Sequence, residues 1–221
     1  MIMKRISVLM LVLCAGIFSA FAQMKPMSDS EIDVLKKKMA AEAQKVNTIE
    51  SDFTQLKHIA AMAGDITSTG KFYYQKDDKV SLDYTTPIKY QIVINGSKIK
   101  MVSNGKTNVF DVASNGLMKE MKDVISACMT GNLQAMGSNY KLEYFQDSKE
   151  YLVKIFPLND AAKTIIDEVN IYLDKNDLSV TRLRMVEASK DKKAKDKDYT
   201  EYQFSNKKLN VDIPASRFSI K

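Results

Sequence analysis

The sequence has few of the side chains on which enzymes and metal sites usually depend. Its 221 residues include one histidine, two cysteines and eight glycines, and there is no tryptophan. A zinc site needs several Cys or His ligands, and a phosphate-binding loop needs closely spaced glycines, whereas these glycines fall mostly in predicted turns. His58 has no partner at a catalytic spacing, so we interpret it as a polar residue on a strand edge. We therefore expect no enzyme activity, no metal and no cofactor.

The scarcity of cysteine also restricts how the fold is held together. Cys14 lies in an apolar run near the N-terminus. Cys128 lies on the apolar stripe of a predicted helix, where a buried, inert thiol is the usual outcome. If the N-terminal run is removed on export, no disulfide can form within the mature chain. The fold must then depend on a hydrophobic core.

A secretory signal peptide is predicted at the N-terminus. Lys4 and Arg5 precede an apolar run over residues 6–18, and Ala20-Phe21-Ala22 places small residues at the two positions that a signal peptidase reads. We predict cleavage after Ala22 and a mature periplasmic chain that begins at Gln23. The apolar run is shorter than the ~20 residues that a membrane span needs, which disfavours a retained anchor.

An alternative interpretation makes Cys14 the lipid-modified first residue of a lipoprotein. The residue before it is the bulky Leu13 rather than a small one, so we favour a soluble mature protein. The length of the mature chain suits one domain of sandwich or barrel size better than two. We therefore divide the chain into a signal peptide, residues 1–22, and a single domain, residues 23–221.

Positive charge is in excess but is not arranged for nucleic acid. The formal net charge is +6, and much of the excess lies in a lysine-rich segment, residues 190–197, among interleaved aspartates. A nucleic-acid site would combine basic and aromatic residues on one surface, and this segment has no aromatic residue. We predict a solvated loop and no nucleic-acid partner.

Two helices are predicted from apolar residues at spacings of three and four. The first covers about residues 28–46, and Ser28 with Glu31 three residues later forms a capping-box start. The second covers about residues 117–129 and is closed by Gly131.

Most of the remaining chain alternates between apolar and polar residues, which is the pattern of strands with one wet face. Asn95-Gly96 and Asn104-Gly105 separate short alternating runs and are the residue pairs that type I′ hairpin turns require. Consecutive antiparallel strands are predicted there, and a further meander follows residue 168. About ten strands, interrupted by two helices, indicate an α+β fold.

Methionine is unusually abundant. Ten of the 13 methionines follow Ala22. Four of them lie on or just after the second helix: Met118, Met121, Met129 and Met136. Methionine adapts to irregular apolar shapes and suits surfaces that accept flexible ligands, although ordinary core filling is the commoner explanation. Met62 lies in an apolar loop, residues 59–63, that either folds against a helix or guards an entrance.

Six stretches of the chain follow one another in a recognisable order. They are Asn47–Gln55, Gly70–Tyr74, Leu82–Pro87, Ile92–Lys98, Phe156-Pro157 and Ile171–Asp174. The first stretch resembles the opening strand of one protein family, including its aromatic residue and glutamine. The third stretch resembles the aromatic-to-proline stretch of the same family. In order and spacing they resemble the LolA family of outer-membrane lipoprotein carriers, over nearly the whole mature chain.

The resemblance implies an unclosed, strongly curved antiparallel β-barrel, a half-barrel, with an N-terminal helix and a short inserted lid helix over the concave apolar face. It also implies that acyl chains are held between the sheet and the lid. The residues expected to line this cleft are Phe53, Phe72, Val80, Leu82, Tyr84, Tyr90, Ile92 and Ile94 from the sheet and Met118, Met121, Ile125 and Met129 from the lid. If the register of a strand were shifted by one residue, all of its predicted cleft residues would face the opposite side of the sheet.

Family members commonly fasten the lid with an arginine after the second strand, and Lys76 occupies that place here. Lysine keeps the charge but lacks the planar fork, so we expect a weaker or differently built latch. The partners that the resemblance implies are acylated lipoproteins, an inner-membrane lipoprotein release complex and an outer-membrane acceptor of unknown identity. We expect a monomer.

Three functions are compatible with the sequence. The first is a periplasmic carrier that moves lipoproteins from the inner to the outer membrane. The second is a lipid-sensing or regulatory interaction module of the same fold in the periplasm. The third is a secreted hydrolase with an unrecognised site, which would involve His58 or Cys128.

Overall fold

The computed structural model describes residues 24–114, 116–129, 133, 139–189 and 196–221. The strands are β1 (Lys25–Pro26), β2 (Thr48–His58), β3 (Ile66–Gln75), β4 (Lys79–Thr86), β5 (Tyr90–Asn95), β6 (Lys98–Ser103), β7 (Lys106–Asp111), β8 (Tyr140–Gln146), β9 (Glu150–Pro157), β10 (Ile166–Asp174), β11 (Val180–Glu187) and β12 (Tyr199–Leu209). The helices are α1 (Asp29–Lys45), α2 (Gly116–Met129) and the single-turn α3 (Asp160–Lys163), and 3-10 turns lie at Val112–Ser114 and Ala215–Phe218.

The strands of these described segments form one antiparallel sheet. Their order is β1-β8-β9-β10-β11-β12-β2-β3-β4-β5-β6-β7, so β1 and β7 are the two edges and the sheet is not closed. After the edge strand β1 and helix α1, the chain enters the middle of the sheet at β2 and runs strand by strand to β7. After α2 it resumes at β8, beside β1 on the opposite side, and returns to pair β12 with β2. This confirms the predicted α+β half-barrel.

Helix α1 begins where the capping box predicts. The Glu31 carboxylate accepts a hydrogen bond of 2.8 Å from the backbone N–H of Ser28, which satisfies one of the free donors at the start of the helix. Leu35 and Met39, one turn apart, are its buried residues and join the main core. The helix therefore lies on the inner side of the sheet, with its other faces in solvent.

The two Asn-Gly hairpins are confirmed, but their turns differ. In the second, Ser103 pairs with Lys106, so Asn104 and Gly105 are central, and both have positive φ as a type I′ turn requires. In the first, the paired residues are Asn95 and Lys98, which places Gly96 and Ser97 at the centre. Only Gly96 of that pair has a positive φ, the arrangement of a type II′ turn.

Side chains of both halves of the sheet meet in one core on its inner face. Within the first half, Phe72 pairs with Leu82, Leu82 with Ile92, and Tyr84 with Tyr90. Core residues of the other half include Val153, Ile155, Ile171 and Leu173. Because residues from strands on both sides of β2 belong to the same cluster, the sheet curves strongly around it.

The C-terminal segment packs on the outer face of the sheet. Phe218 and Ile213 form a second, small core with Val93, whose side chain points away from those of Ile92 and Ile94. Arg217 forms an ion pair with Asp83 and lies over the ring of Tyr73 at 4.5 Å. This segment supports β3–β5 from outside and leaves the inner face free.

Candidate functional site

An apolar cleft opens between helix α1 and the inner face of the sheet. Its walls are the second half of α1, strands β2, β3 and β12, and the turn between β10 and β11. The cleft encloses about 700 Å³ of empty space, part of it open to solvent. Its apolar side chains include Met39, Val46, Ile49, Phe72, Phe204 and Leu209. We call this space the outer cleft.

A second, smaller cleft lies beside the first and is bounded by helix α2. It holds about 320 Å³ of empty space, part of it open to solvent, and we call it the inner cleft. Its walls are entirely aliphatic or aromatic: Phe72, Leu82, Ile125, Leu183, Met185, Tyr202 and Phe204. Phe72 and Phe204 line both spaces, so the two clefts adjoin at this aromatic pair.

Tyr202, in the wall of the inner cleft, and Tyr84, in the core behind it, are buried and satisfy each other's polar groups. The hydroxyl groups of Tyr84 and Tyr202 are joined by a hydrogen bond of 2.9 Å. Burial raises the pKa of Tyr202 to about 12, and it also raises the pKa of Tyr84. Both side chains therefore stay neutral at physiological pH and present no charge to an apolar ligand.

Asp78, in the turn between β3 and β4, hydrogen-bonds helix α2. Its Oδ1 accepts from the Ser126 hydroxyl at 2.5 Å, and its Oδ2 accepts from Lys122 Nζ at 3.0 Å. Burial alone would raise the pKa of Asp78, but the bonds from Ser126 and Lys122 outweigh it and hold the pKa below the usual 3.8. Because Ser126 directly follows Ile125, this contact holds α2 against the inner cleft. We call it the Asp78 latch.

Charged side chains lie at the rim of the outer cleft. They are Glu42 on α1, Asp177 in the β10–β11 turn and Lys207 on β12. Lys207 Nζ donates to Asp177 Oδ2 at 3.2 Å. Burial alone would raise the pKa of Asp177, but hydrogen bonds from Ser179 and the charge of Lys207 give a net lowering. A polar rim around apolar walls suits an amphiphile whose tail is buried and whose head group stays in water.

Within the described segments, no group of three or more His, Cys, Asp or Glu side chains is placed to hold a metal ion. None of the described helices combines the length and the apolar character that crossing a membrane requires.

The sequence profile described as outer membrane lipoprotein carrier protein LolA matches residues 44–221, from the end of α1 to the last residue. The chain belongs to the LolA family. The matched part contains strands β2 to β12 and helix α2, and hence both walls of the inner cleft. Among curated proteins, none matches the sequence of this LolA family member.

Three solved structures resemble this LolA family member at low sequence identity. A LolA superfamily protein from Nitrosomonas europaea is 7% identical with a TM-score of 0.46, and the match covers 85% of this chain and 96% of that one. A putative outer membrane lipoprotein-sorting protein domain from Vibrio parahaemolyticus is 12% identical with a TM-score of 0.41, covering 83% and 97%. The Mycobacterium tuberculosis lipoprotein LppX is 9% identical with a TM-score of 0.44, covering 84% and 100%.

The eight sheet residues predicted to line the cleft lie together on the inner face of the LolA fold. Seven of them are buried: Phe53, Phe72, Val80, Leu82, Tyr84, Ile92 and Ile94. Tyr90 is half-buried against the same core. Phe72 and Leu82 line the clefts, and the other six pack in the core around them. Their part in ligand binding stays a prediction.

Helix α2 carries the four residues that the LolA resemblance places on the lid. Ile125 is half-buried, packs against the core and lines the inner cleft. The side chains of Met118, Met121 and Met129 lie outside the described residues, so their predicted role is open.

Lys76, the predicted lid latch, is exposed in the β3–β4 turn of this LolA family member. Its backbone N–H donates to the carbonyl oxygen of Asn47 at 2.8 Å. Asp78, two residues later in the same turn, bonds α2 through its side chain. In this contact the carboxylate lies on the sheet and the lysine, Lys122, on the helix. The role of Lys76 as a latch stays a prediction.

The second wall of both clefts comes from β11 and β12, and no residue of these strands was predicted to line the cleft. Leu183 and Met185 line the inner cleft, and Phe204 lines both clefts. The sequence did mark these residues as the apolar face of a strand. Leu183 and Met185 alternate with arginines, and Phe204 follows Gln203 in a segment where polar and apolar residues alternate. What the alternation does not reveal is that β12 lies beside β2.

His58, at the end of β2, is held between two carboxylates. Its Nδ1 lies 2.7 Å from Asp65 Oδ1 and its Nε2 lies 2.9 Å from Asp196 Oδ1. Its ring stacks on Tyr199 with 4.9 Å between centroids, and Arg184 lies over the same tyrosine ring. A protonated imidazole donates from both nitrogens, so the charged form joins the β2–β3 loop, through Asp65, to the β11–β12 loop, through Asp196.

We expect the pKa of His58 to lie above 6.5. The hydrogen bond to Asp65 raises this pKa, burial opposes the shift, and the bond and charge of Asp196 add to it. Because the folded-state pKa is raised, this stabilisation is complete below the unfolded-state value and is lost as the pH rises through the folded-state value. An NMR titration needs no assignment, because the chain has a single histidine.

The matched variants for this titration are Asp65→Asn and Asp33→Asn. The first removes the main cause of the shift and should lower the pKa of His58, whereas the second changes an exposed carboxylate of α1 and should leave it unchanged. A pKa at or below 6.5 in the unaltered protein, or equal effects of the two variants, would show that the two carboxylates do not hold the charged imidazole.

Proposed function

We propose that this LolA family member is a periplasmic carrier that binds the acyl chains of lipoproteins and moves them from the inner to the outer membrane. The observation that supports this most strongly is the pair of apolar clefts that adjoin at Phe72 and Phe204 between the sheet and two helices. Each methylene removed from water contributes about 0.8 kcal/mol, so an apolar cleft holds an acyl chain without any charged or covalent contact.

A carrier must also release its cargo, and we infer that helix α2 can move away from the inner cleft. One face of the inner cleft is formed by Ile125 of this helix, and the Asp78 latch fastens the helix beside that residue. A few hydrogen bonds to a partly exposed carboxylate are weak enough to exchange with water. We infer that opening of α2 loosens the grip on the tail.

The proposed place of action of the protein is the periplasm. We propose that residues 1–22 are a signal peptide cleaved after Ala22 and that residues 23–221 act in the periplasm as a monomer. The polar rim, with Glu42, Asp177 and Lys207, would remain in water beside the peptide part of the cargo. The partners in this proposal are an inner-membrane release complex as donor and an outer-membrane acceptor.

Native mass spectrometry of the protein purified from its own periplasm tests the proposal. We expect acylated polypeptides to co-purify with the unaltered protein and to be lost from a variant with a filled outer cleft. Recovery of the protein with no acylated polypeptide, under conditions that preserve its fold, would contradict a carrier role.

Depletion in the native host separates the carrier from the other two functions. Loss of a carrier leaves lipoproteins in the inner membrane, whereas loss of a lipid-sensing module changes a transcriptional response and leaves lipoprotein location unchanged. A hydrolase would instead show a turnover that substitution of His58 or Cys128 abolishes.

A further inference from the structure

The strip of inner face between the two clefts is built in an unusual way. Strand β2 separates β3 from β12, and its Ser51 is a small, fully buried side chain opposite Phe72. The rings of Phe72 and Phe204 approach each other across this serine, with centroids 5.3 Å apart and planes at 64°. A larger residue at position 51 would hold the rings apart, so the small serine allows them to meet.

This aromatic pair lies where the two clefts adjoin. On one side is the outer cleft with its polar rim, and on the other is the inner cleft beneath Ile125. A tail that passes from the rim into the inner cleft has to pass the pair, because Phe72 and Phe204 are the side chains common to both linings. An edge-to-face contact resists such a passage without preventing it.

The two rings differ in how firmly they are held. Phe72 is 4% exposed and lies on a strand paired continuously with β2. Phe204 is only half-buried, and the pairing of β12 with β2 is interrupted just after it, between Ser205 and Lys208. A bulge of this kind re-aims a strand locally. Phe204 is therefore the ring that can move aside.

We propose that the Phe72–Phe204 pair is a constriction that sets how far an acyl chain penetrates, and so determines which chain lengths the protein prefers. This inference rests on the proposed function, because it concerns the same clefts. Short chains occupy the outer cleft alone. Longer chains reach the inner cleft only after Phe204 has turned away, which offsets part of the gain from their additional methylenes.

Binding of a chain-length series tests the constriction. The probes are N-acyl cysteine peptides that differ only in the acyl group, from octanoyl to stearoyl. Affinity for the unaltered protein should rise about fourfold per methylene and then flatten at one length. In Phe204→Ala, affinity for the longest chains should rise about tenfold, whereas affinity for the shortest should not increase, because these chains do not pass the pair.

Two further variants make the result decisive. Phe204→Leu keeps an apolar side chain, so it serves as the test variant if Phe204→Ala does not fold. It should move the chain length at which affinity flattens to longer chains. Leu209→Ala removes a partly exposed side chain from the outer cleft and should weaken binding of all lengths by the same factor.

The inference and the proposed function fail in different ways. If the unaltered protein binds no acyl peptide of any length, both are wrong. If it binds them but Phe204→Ala and Phe204→Leu change all affinities by one common factor, or if affinity rises with no flat region, the carrier survives and the constriction is wrong.

Discussion

The Ala43→Trp variant is expected to bind acyl peptides roughly 100-fold more weakly than the unaltered protein. Ala43 lies on helix α1 and lines the outer cleft. An indole at this position fills space that an acyl chain would otherwise use. If it excludes about four methylenes at about 0.8 kcal/mol each, the loss is about 3 kcal/mol, which is roughly 100-fold in affinity. Isothermal titration with a palmitoyl peptide measures the change.

Ala41→Trp is the matched control for this experiment. Ala41 is exposed, and two residues along a helix turn a side chain about 200° away from Ala43. Both variants change the same residue type on the same helix, so they should have similar effects on helix propensity. Equal affinities of the two variants would place the ligand elsewhere on the molecule.

The Asp78→Asn variant is expected to release a bound acyl peptide about tenfold faster. The substitution removes the negative charge to which Lys122 and Ser126 donate their hydrogen bonds. A hydrogen bond to a charged group contributes about 1.5 kcal/mol, at the low end of the usual range because this carboxylate is partly exposed. A loss of this size corresponds to about a tenfold change in rate. Asparagine tolerates the positive φ of 60° at this position, so the backbone should not be strained. Displacement of a fluorescent acyl peptide by an excess of unlabelled peptide gives the rate.

Asp77→Asn controls for the loss of a negative charge in the same turn. Asp77 also has a positive φ and is exposed, and the contacts that hold α2 come from its neighbour. The pKa of Asp78 is lowered, so the latch is complete at neutral pH and is lost only as the pH falls through that lowered value. Release at the same rate from both variants at neutral pH would contradict a role for the Asp78 latch.

The parts of the fold that could be predicted are those set by short-range pattern. Ser28 and Glu31 mark the start of α1, and the helix begins at the next residue after Ser28. The alternation of Val80, Leu82 and Tyr84 placed these side chains on one face, and the register with β5 confirms it. One turn was wrong in detail, because Gly96 rather than Asn95 takes the first central position of its hairpin.

The second wall of the site could not be predicted, because it depends on pairing between distant parts of the chain. Phe53 and Phe204 are paired neighbours in the sheet, although they are far apart in the sequence. Alternation shows which residues share a face of one strand, but it does not show which strands are adjacent. Phe204 was therefore missed, although it lines both clefts.

The contact between the β3–β4 turn and α2 depends on a local conformation that the sequence does not show. The family resemblance directed attention to a cation in the β3–β4 turn, and Lys76 was the nearest one. In the fold, the positive φ values of Asp77 and Asp78 shape the turn so that Asp78 meets Lys122. A turn conformation of this kind depends on the strands on either side as well as on the residue types.

Tryptophan fluorescence tests most directly whether acyl chains lie between α1 and the sheet. The chain has no tryptophan, so each variant carries a single probe. Leu209→Trp places it in the lining of the outer cleft, and Phe156→Trp places it on the outer face, next to the buried Ile155 on β9. A palmitoyl peptide with a brominated chain should quench the first strongly and the second hardly at all. Equal quenching of both, or stronger quenching at position 156, would contradict the account.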